Sequence, residues 1–177
     1  NKHILSKFDK INKKNIFLLR DSFFLKIFNE INLIHSFNVK KIYPNLIEIE
    51  LKKTKFLAIT NYENKKYFIG SNYKLVDFEI IDKDLPYVFG RIEIDKFISF
   101  KKKIDESYFS YKDISEIYFF PSGRWDIKNK DNIIIKLPEK DLVNILNLAY
   151  KIINDKKFTN YRVIDLRSTN QLITYNE

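Results

Sequence analysis

The spacing of apolar residues changes period near Phe37, and that change constrains the fold more than any other feature of the chain. Before it, Phe24, Ile27, Phe28 and Ile31 recur at helical intervals, so one stripe of a helix faces a core. Asp21 or Ser22 is placed to cap that helix. After it, Phe37, Val39 and Ile42 make one short strand. Ile47, Ile49 and Leu51 then alternate with Glu48, Glu50 and Lys52, the period of a half-buried strand. Tyr43-Pro44-Asn45 supplies the turn between the two. Upstream, Ile4, Leu5, Phe8 and Ile11 mark a short amphipathic turn or two, so the first 60 residues read as helix, helix, strand, strand.

Tyr62 to Asn64 is polar and turn-like, a place for a domain boundary. "KYFIG" and "YKLV" then read as short strands around Gly70. Pro86 and Gly90 bracket an irregular loop, and helical spacing returns from Ile94 to Ile104. "ISEIYFF" leads into "FFPSGRWDI" (119–127), which holds the only tryptophan. There Pro121 and Gly123 occupy the second and fourth positions of a type I turn. Trp125 packs from the following strand while Arg124 and Asp126 face the other way, so the cluster is a corner of the fold and not a reactive site. "IIIKL" reads as a strand buried on both faces. Pro138 opens the longest helix, with Leu142, Ile145, Leu146, Ala149, Ile152 and Ile153 on one stripe. "YRVIDLR" and "QLITY" are closing strands. The class is α+β, with two domains meeting near residue 60.

Several chemistries are unsupported. Without cysteine the chain has no disulfide, thiolate metal site or cysteine nucleophile. Three glycines leave little for a phosphate-cradling loop, and no G-x-S-x-G elbow, P-loop or G-x-G-x-x-G occurs. The histidines, His3 and His35, lie in a terminal segment and beside a helix end. Glu48/Glu50 and Glu93/Asp95 have the spacing of solvated faces. Most aromatics, Phe24, Phe28, Phe37, Phe97 and Phe119 among them, occupy core phases, which weakens a base-stacking role. The net charge of +9 is uneven: residues 1–60 carry 12 Lys and Arg against 5 acids, residues 61–177 carry 20 against 18. The basic excess of the first part suits an anionic surface such as phospholipid headgroups; the alternative is a solvated Lys-rich face. No apolar run reaches the ~18–20 residues that cross a bilayer. The abrupt start, "NKHILSKFDK", leads us to expect an upstream portion outside this sequence.

"NIFLL…FLKIFNEINLIHSFNVKKIYPNLIEIELKK…LAI" resembles the POTRA domain of the FtsQ/DivIB family of bacterial cell-division proteins. Leu33-Ile34, Phe37, Val39, Lys41, Pro44-Asn45, Ile47 and Ile49 fall on or beside that family's pattern. "LPYVFG" (85–90), "GRWDI" followed by "DNIIIKL", and "VIDLR" (163–167) resemble its later motifs in the right order. Asn32, Lys53, Phe56 and Asn132 depart from it, the last where a hairpin glycine is usual.

The resemblance implies an N-terminal POTRA-like domain over 1–60, its first strand and upstream membrane helix lying outside this chain. Residues 61–177 then form a mixed α/β domain whose extended antiparallel sheet ends in an edge strand. It implies no catalysis, no cofactor and no metal, a single-pass inner-membrane protein with this portion in the periplasm at the division septum, and FtsB/DivIC-like and FtsL-like partners. Strand addition on "QLITY" is the expected docking mode. The partner-binding residues would be Arg167, Ser168, Thr169, Asn170, Gln171, Leu172, Ile173, Thr174 and Tyr175, with Arg167 pairing a partner carboxylate and Asp165 structural. Charge reversal at Arg167 is expected to abolish capture without altering the thermal melt. The alternatives are a POTRA factor of outer-membrane barrel assembly or secretion, which would carry repeated POTRA units or a barrel, and a basic nucleic-acid binder.

Overall fold

The computed structural model describes residues 7–9, 11, 14–77, 84–155, 157, 161–168 and 173–175. The chain divides into two compact units, Asn1–Phe56 with Gly70–Val76, and Leu57–Ile69 with Asp77–Glu177.

In the first unit a 3-10 turn, Ile16–Leu18, precedes α1 (Asp21–Asn29), β1 (Ile34–Ile42) and β2 (Leu46–Lys53). The two strands pair antiparallel with Phe37 opposite Leu51 and Val39 opposite Ile49, as their alternation requires. One face of this pair closes over α1: Phe24, Ile27, Phe28, Ile31 and Ile34 form the core, and Phe28 lies 4.8 Å from Phe37 ring to ring. The expected cap is displaced. Arg20 holds the N-cap position with no side-chain bond, and Asp21 sits in the first turn, where its charge still suits the helix dipole. Residues 70–76, with the short strand β5 (Leu75–Val76), are tied in through amides. Asn72 Nδ2 donates to Asn32 O (2.8 Å) and Ile34 O (2.9 Å), and Asn32 Nδ2 donates to Leu75 O (2.8 Å).

The second unit is built on one sheet. Its strands are β3 (Phe56–Tyr62), β4 (Lys65–Gly70), β6 (Tyr87–Phe89), β7 (Ile114–Phe119), β8 (Trp125–Asn129), β9 (Ile134–Lys136), β10 (Val163–Asp165) and β11 (Ile173–Tyr175). Their order is β11-β10-β9-β8-β7-β6-β3-β4. The helices are α2 (Ile94–Asp105) and α3 (Leu142–Ile153).

The α+β class holds, but the sheet is mixed rather than antiparallel throughout. β6 pairs β7 parallel, β9 pairs β10 parallel, and β3 pairs β6 parallel. The physical reason is the crossover: α2 lies between β6 and β7 and α3 between β9 and β10, and a helix of this length returns the chain to run the same way.

A row of Val88, Ile117, Ile127, Ile135 and Ile164, each opposite the next, lines the inner face and is almost wholly inaccessible. α2 brings Phe97, Phe100 and Ile104 onto it, and α3 contributes Leu142, Leu146, Ala149 and Ile152. Trp125 belongs to this face: its ring stacks on Phe100 with centroids 4.5 Å apart and planes 4° from parallel. The turn before it is the expected one, with Gly123 N–H donating to Phe120 O at 2.9 Å.

Three local readings change. The supposed loop "LPYVFG" contains β6, because Tyr87–Phe89 finds strands on both sides. α3 starts at Leu142 rather than Pro138, after Asp141 in the left-handed region (φ 56), and at 12 residues it equals α2 in length. In β9 only Ile135 is fully buried. Ile134 and Lys136 are half-buried on the other face.

Candidate partner-binding edge

Main-chain hydrogen bonds around β10 determine which way each peptide group of the last strands points. Ile134 N–H donates to Arg162 O (2.8 Å) and Leu166 N–H to Lys136 O (2.9 Å), so the even-numbered residues of β10 turn toward β9. Residues 163 and 165 therefore turn toward β11, where Val163 faces Tyr175 and Asp165 faces Ile173. Thr174, opposite Ile164, consequently directs its own N–H and C=O away from β10. On that side the strand order has no further member among the described residues. β11 is an edge, and Thr174 presents it.

The sheet face away from the helices carries the charge. Phe89, Tyr118, Asp126, Lys136, Asp165 and Ile173 stand opposite one another across β6, β7, β8, β9, β10 and β11. Opposed residues share a face, so these six form one row. Phe89 stacks on Tyr118 at 5.1 Å, and Ile173, 46% exposed, ends the row at the edge.

Within this row Asp165 is buried while the Arg167 side chain keeps 45% of its accessibility. Arg167 Nε donates to both carboxylate oxygens (2.8 and 3.0 Å) and Nη2 donates to Oδ2 (2.5 Å). The Arg167 N–H adds a bond to Oδ1 at 3.1 Å. These bonds to Arg167 hold the Asp165 carboxyl below the ordinary carboxylate range, against an opposing push from burial.

Asp126 behaves oppositely. Burial raises its pKa despite the Arg124 guanidinium, whose Nε lies 3.2 Å from Oδ1, a bond from Leu137 N–H, and the more distant charge of Arg167. Arg124 also covers the Phe120 ring, 4.1 Å from its centroid. Tyr118 donates to Glu116, and burial, then that bond and charge, raise its pKa to about 12.

Of the residues expected at the site, Arg167 and Ser168 are exposed just past β10, and Ile173, Thr174 and Tyr175 form β11. Thr169, Asn170, Gln171 and Leu172 lie outside the described residues. Arg167 and Ile173 are brought to one face through Asp165, which makes Asp165 a ladder partner and a brace together. Sequence reasoning missed Asp126 as a buried charge. The available signal was its position between Trp125 and Ile127 in a strand, one residue pair from Arg124. The carboxylates weighed for catalysis are dispersed: Glu48 and Glu50 are exposed on β2, and Glu93 pairs with Lys96 at 2.9 Å. Among the described residues no His, Asp and Glu group is placed to hold a metal, and no helix is long and apolar enough to cross a membrane.

Several known proteins are similar to this chain. Cell division protein FtsQ of Rickettsia conorii (strain ATCC VR-613 / Malish 7) is 46% identical over 54 residues, 27% of this chain. That match takes in 19% of the relative's own length. The solved structure of the major extracytoplasmic domain of the trans isomer of cell-division protein DivIB from Geobacillus stearothermophilus aligns with 58% of this chain and 92% of that one. Its TM-score is 0.44 at 15% identity. The model of the family described as "Cell division protein FtsQ/DivIB, C-terminal" matches residues 58–167, a span that runs from β3 through Arg167. The chain belongs to the FtsQ/DivIB family of cell-division proteins.

Proposed function

We propose that this chain is a non-enzymatic scaffold of the division machinery that recruits FtsB/DivIC-like and FtsL-like partners by adding a strand to β11. The observation that carries this reading is the outward N–H and C=O of Thr174 on the last strand of the sheet order. A partner strand satisfies those groups and continues the ladder. Beside the edge, Arg167 gives a partner carboxylate a cation already oriented by Asp165, a charge-assisted bond worth about 1–3 kcal/mol when partly desolvated. Ile173, exposed on the same edge, adds apolar contact, and Ser168 lies exposed beside Arg167.

On the same reading the first unit is the POTRA domain. The full-length protein is anchored in the inner membrane by one upstream helix, with this portion in the periplasm at the septum. That assignment rests on family membership and on the helix-strand-strand order of residues 21–53.

Thr174→Pro tests strand addition directly. It removes the one outward N–H described on β11 while leaving the bonds of Ile173 and Tyr175 to β10 in place, and proline is tolerated at such edges. Capture of a purified FtsB-like partner should fall at least tenfold with little change in melting temperature. Wild-type capture by this variant would discard the docking mode while leaving the family assignment intact.

A further inference from the structure

We infer that the first unit carries a second, separate binding surface, a knob that docks on an anionic phospholipid bilayer. The inference does not depend on the strand-addition reading. Ile16 is buried and anchors the 3-10 turn, so the next two side chains are thrown outward: Phe17 is 66% and Leu18 79% exposed. The Asn15 side chain accepts from Phe17 N–H at 2.9 Å and holds the turn in that form. The turn between β1 and β2 presents Tyr43 and Leu46, both more than half exposed. These two loops are distant in sequence and adjacent in space. Phe17 stacks on Tyr43 at 4.9 Å, and Lys41 Nζ donates to Leu19 O, tying the strand to the loop.

The charge around this knob has one sign. Residues 14–20 and 40–46 contain Lys14, Arg20, Lys40 and Lys41 and no carboxylate. Acids flank it in sequence: Asp21 opens α1, and Glu48 lies 3.8 Å from Lys40 in a pair exposed on both sides. Such an exposed pair holds the lysine only weakly. Aromatic and aliphatic tips ringed by cations suit the interfacial zone of an anionic leaflet, where the rings sit at headgroup depth and each cation adds attraction.

Other occupants meet specific objections. A second copy across a two-fold axis would set these cations against their own equivalents. For a nucleic acid, Phe17 and Tyr43 turn one face of each ring against the other, and Leu18 and Leu46 add no planar surface on which a base could stack.

The test is co-sedimentation of the 177-residue chain with vesicles. Binding is expected to phosphatidylglycerol-containing vesicles, to weaken with salt, and to be absent with pure phosphatidylcholine. Arg20→Glu with Lys40→Glu should cut partition by at least about tenfold, since each cation near such a surface is worth roughly fivefold. Phe17→Ser with Leu18→Ser should do so independently, and neither pair should shift the melt, because all four side chains are exposed. Equal binding to neutral vesicles, or wild-type partition by both double variants, overturns the inference. So does concentration-dependent dimerisation or single-stranded DNA retention that Phe17→Ser with Leu18→Ser abolishes while vesicle binding persists.

Discussion

Arg167 grips the carboxylate of Asp165, two residues earlier on the same face of the chain, through Nε and Nη2 at 2.5–3.0 Å. The pair joins a buried acid to a half-exposed base, so the arginine cannot be reversed in charge without consequence for the fold.

Arg167→Glu would set a second carboxylate against buried Asp165. The expectation from sequence, an unchanged melt, is therefore replaced. Stability should fall by about 2–4 kcal/mol, as for a partly buried pair that loses its cation. Arg167→Lys keeps the charge but not the forked geometry, so it should melt closer to wild type while weakening partner capture. Calorimetric melts of both variants, alongside capture assays, check this.

The two buried acids should give opposite pH dependences. Asp165 has a lowered pKa, so its stabilising contribution is complete above the ordinary carboxylate value and disappears as pH falls through the lowered one. Asp126 has a raised pKa, so its ionisation costs stability as pH rises from the ordinary carboxylate value through the raised one. In melts recorded from pH 2 to 7, about the carboxylate range, Asp165→Asn should flatten the steep acid limb. Asp126→Asn should remove the decline on the higher side.

Two glycines with left-handed backbones should respond unequally to alanine. At Gly90 (φ +102) a Cβ would stand 2.2 Å from Phe119 O, a main-chain atom that β7 holds in place. Gly90→Ala should cost about 2–4 kcal/mol. At Gly123 (φ +90) a Cβ would meet nothing within 4 Å, so only the backbone conformation is penalised, by about 1 kcal/mol. Urea midpoints of the two variants should separate accordingly.

Trp125 and Phe100 join sheet and helix through one stacked contact. Truncating either to alanine should cost about 3–5 kcal/mol. The double variant should fall short of additivity by about 0.5–1.5 kcal/mol, the coupling of a stacked pair. Denaturation of the four proteins in the cycle measures it.

Where local pattern and tertiary packing agree, the structure was readable in advance. The α2 stripe and the alternation of β2 became elements within a residue or two of expectation, and the strand read from Phe37 begins three residues earlier, at Ile34. β6 was hidden because three residues between Pro86 and Gly90 have no period to read; they are a strand only because neighbours pair with them. Pro138 misplaced the start of α3 because a proline marks where a helix can begin, whereas the left-handed Asp141 delays it. The departure at Asn132 proved conservative in effect: with φ 65 it adopts the conformation a glycine would. Arg167 came from motif order. Its brace was also in the motif, since residues two apart in an extended segment face the same way, but the buried charge of Asp126 needed the sheet to be seen.

The outward Thr174 has a consequence for any polypeptide that docks beside it. Thr174 lies in line with the isoleucine row beneath the helices, and Ile173 with the charged row above. A joining strand therefore continues both surfaces at once, its odd and even side chains entering chemically opposite environments. Sliding it by a single residue would exchange every one of them, so discrimination between candidate sequences is inherent in their parity and needs no enclosed pocket.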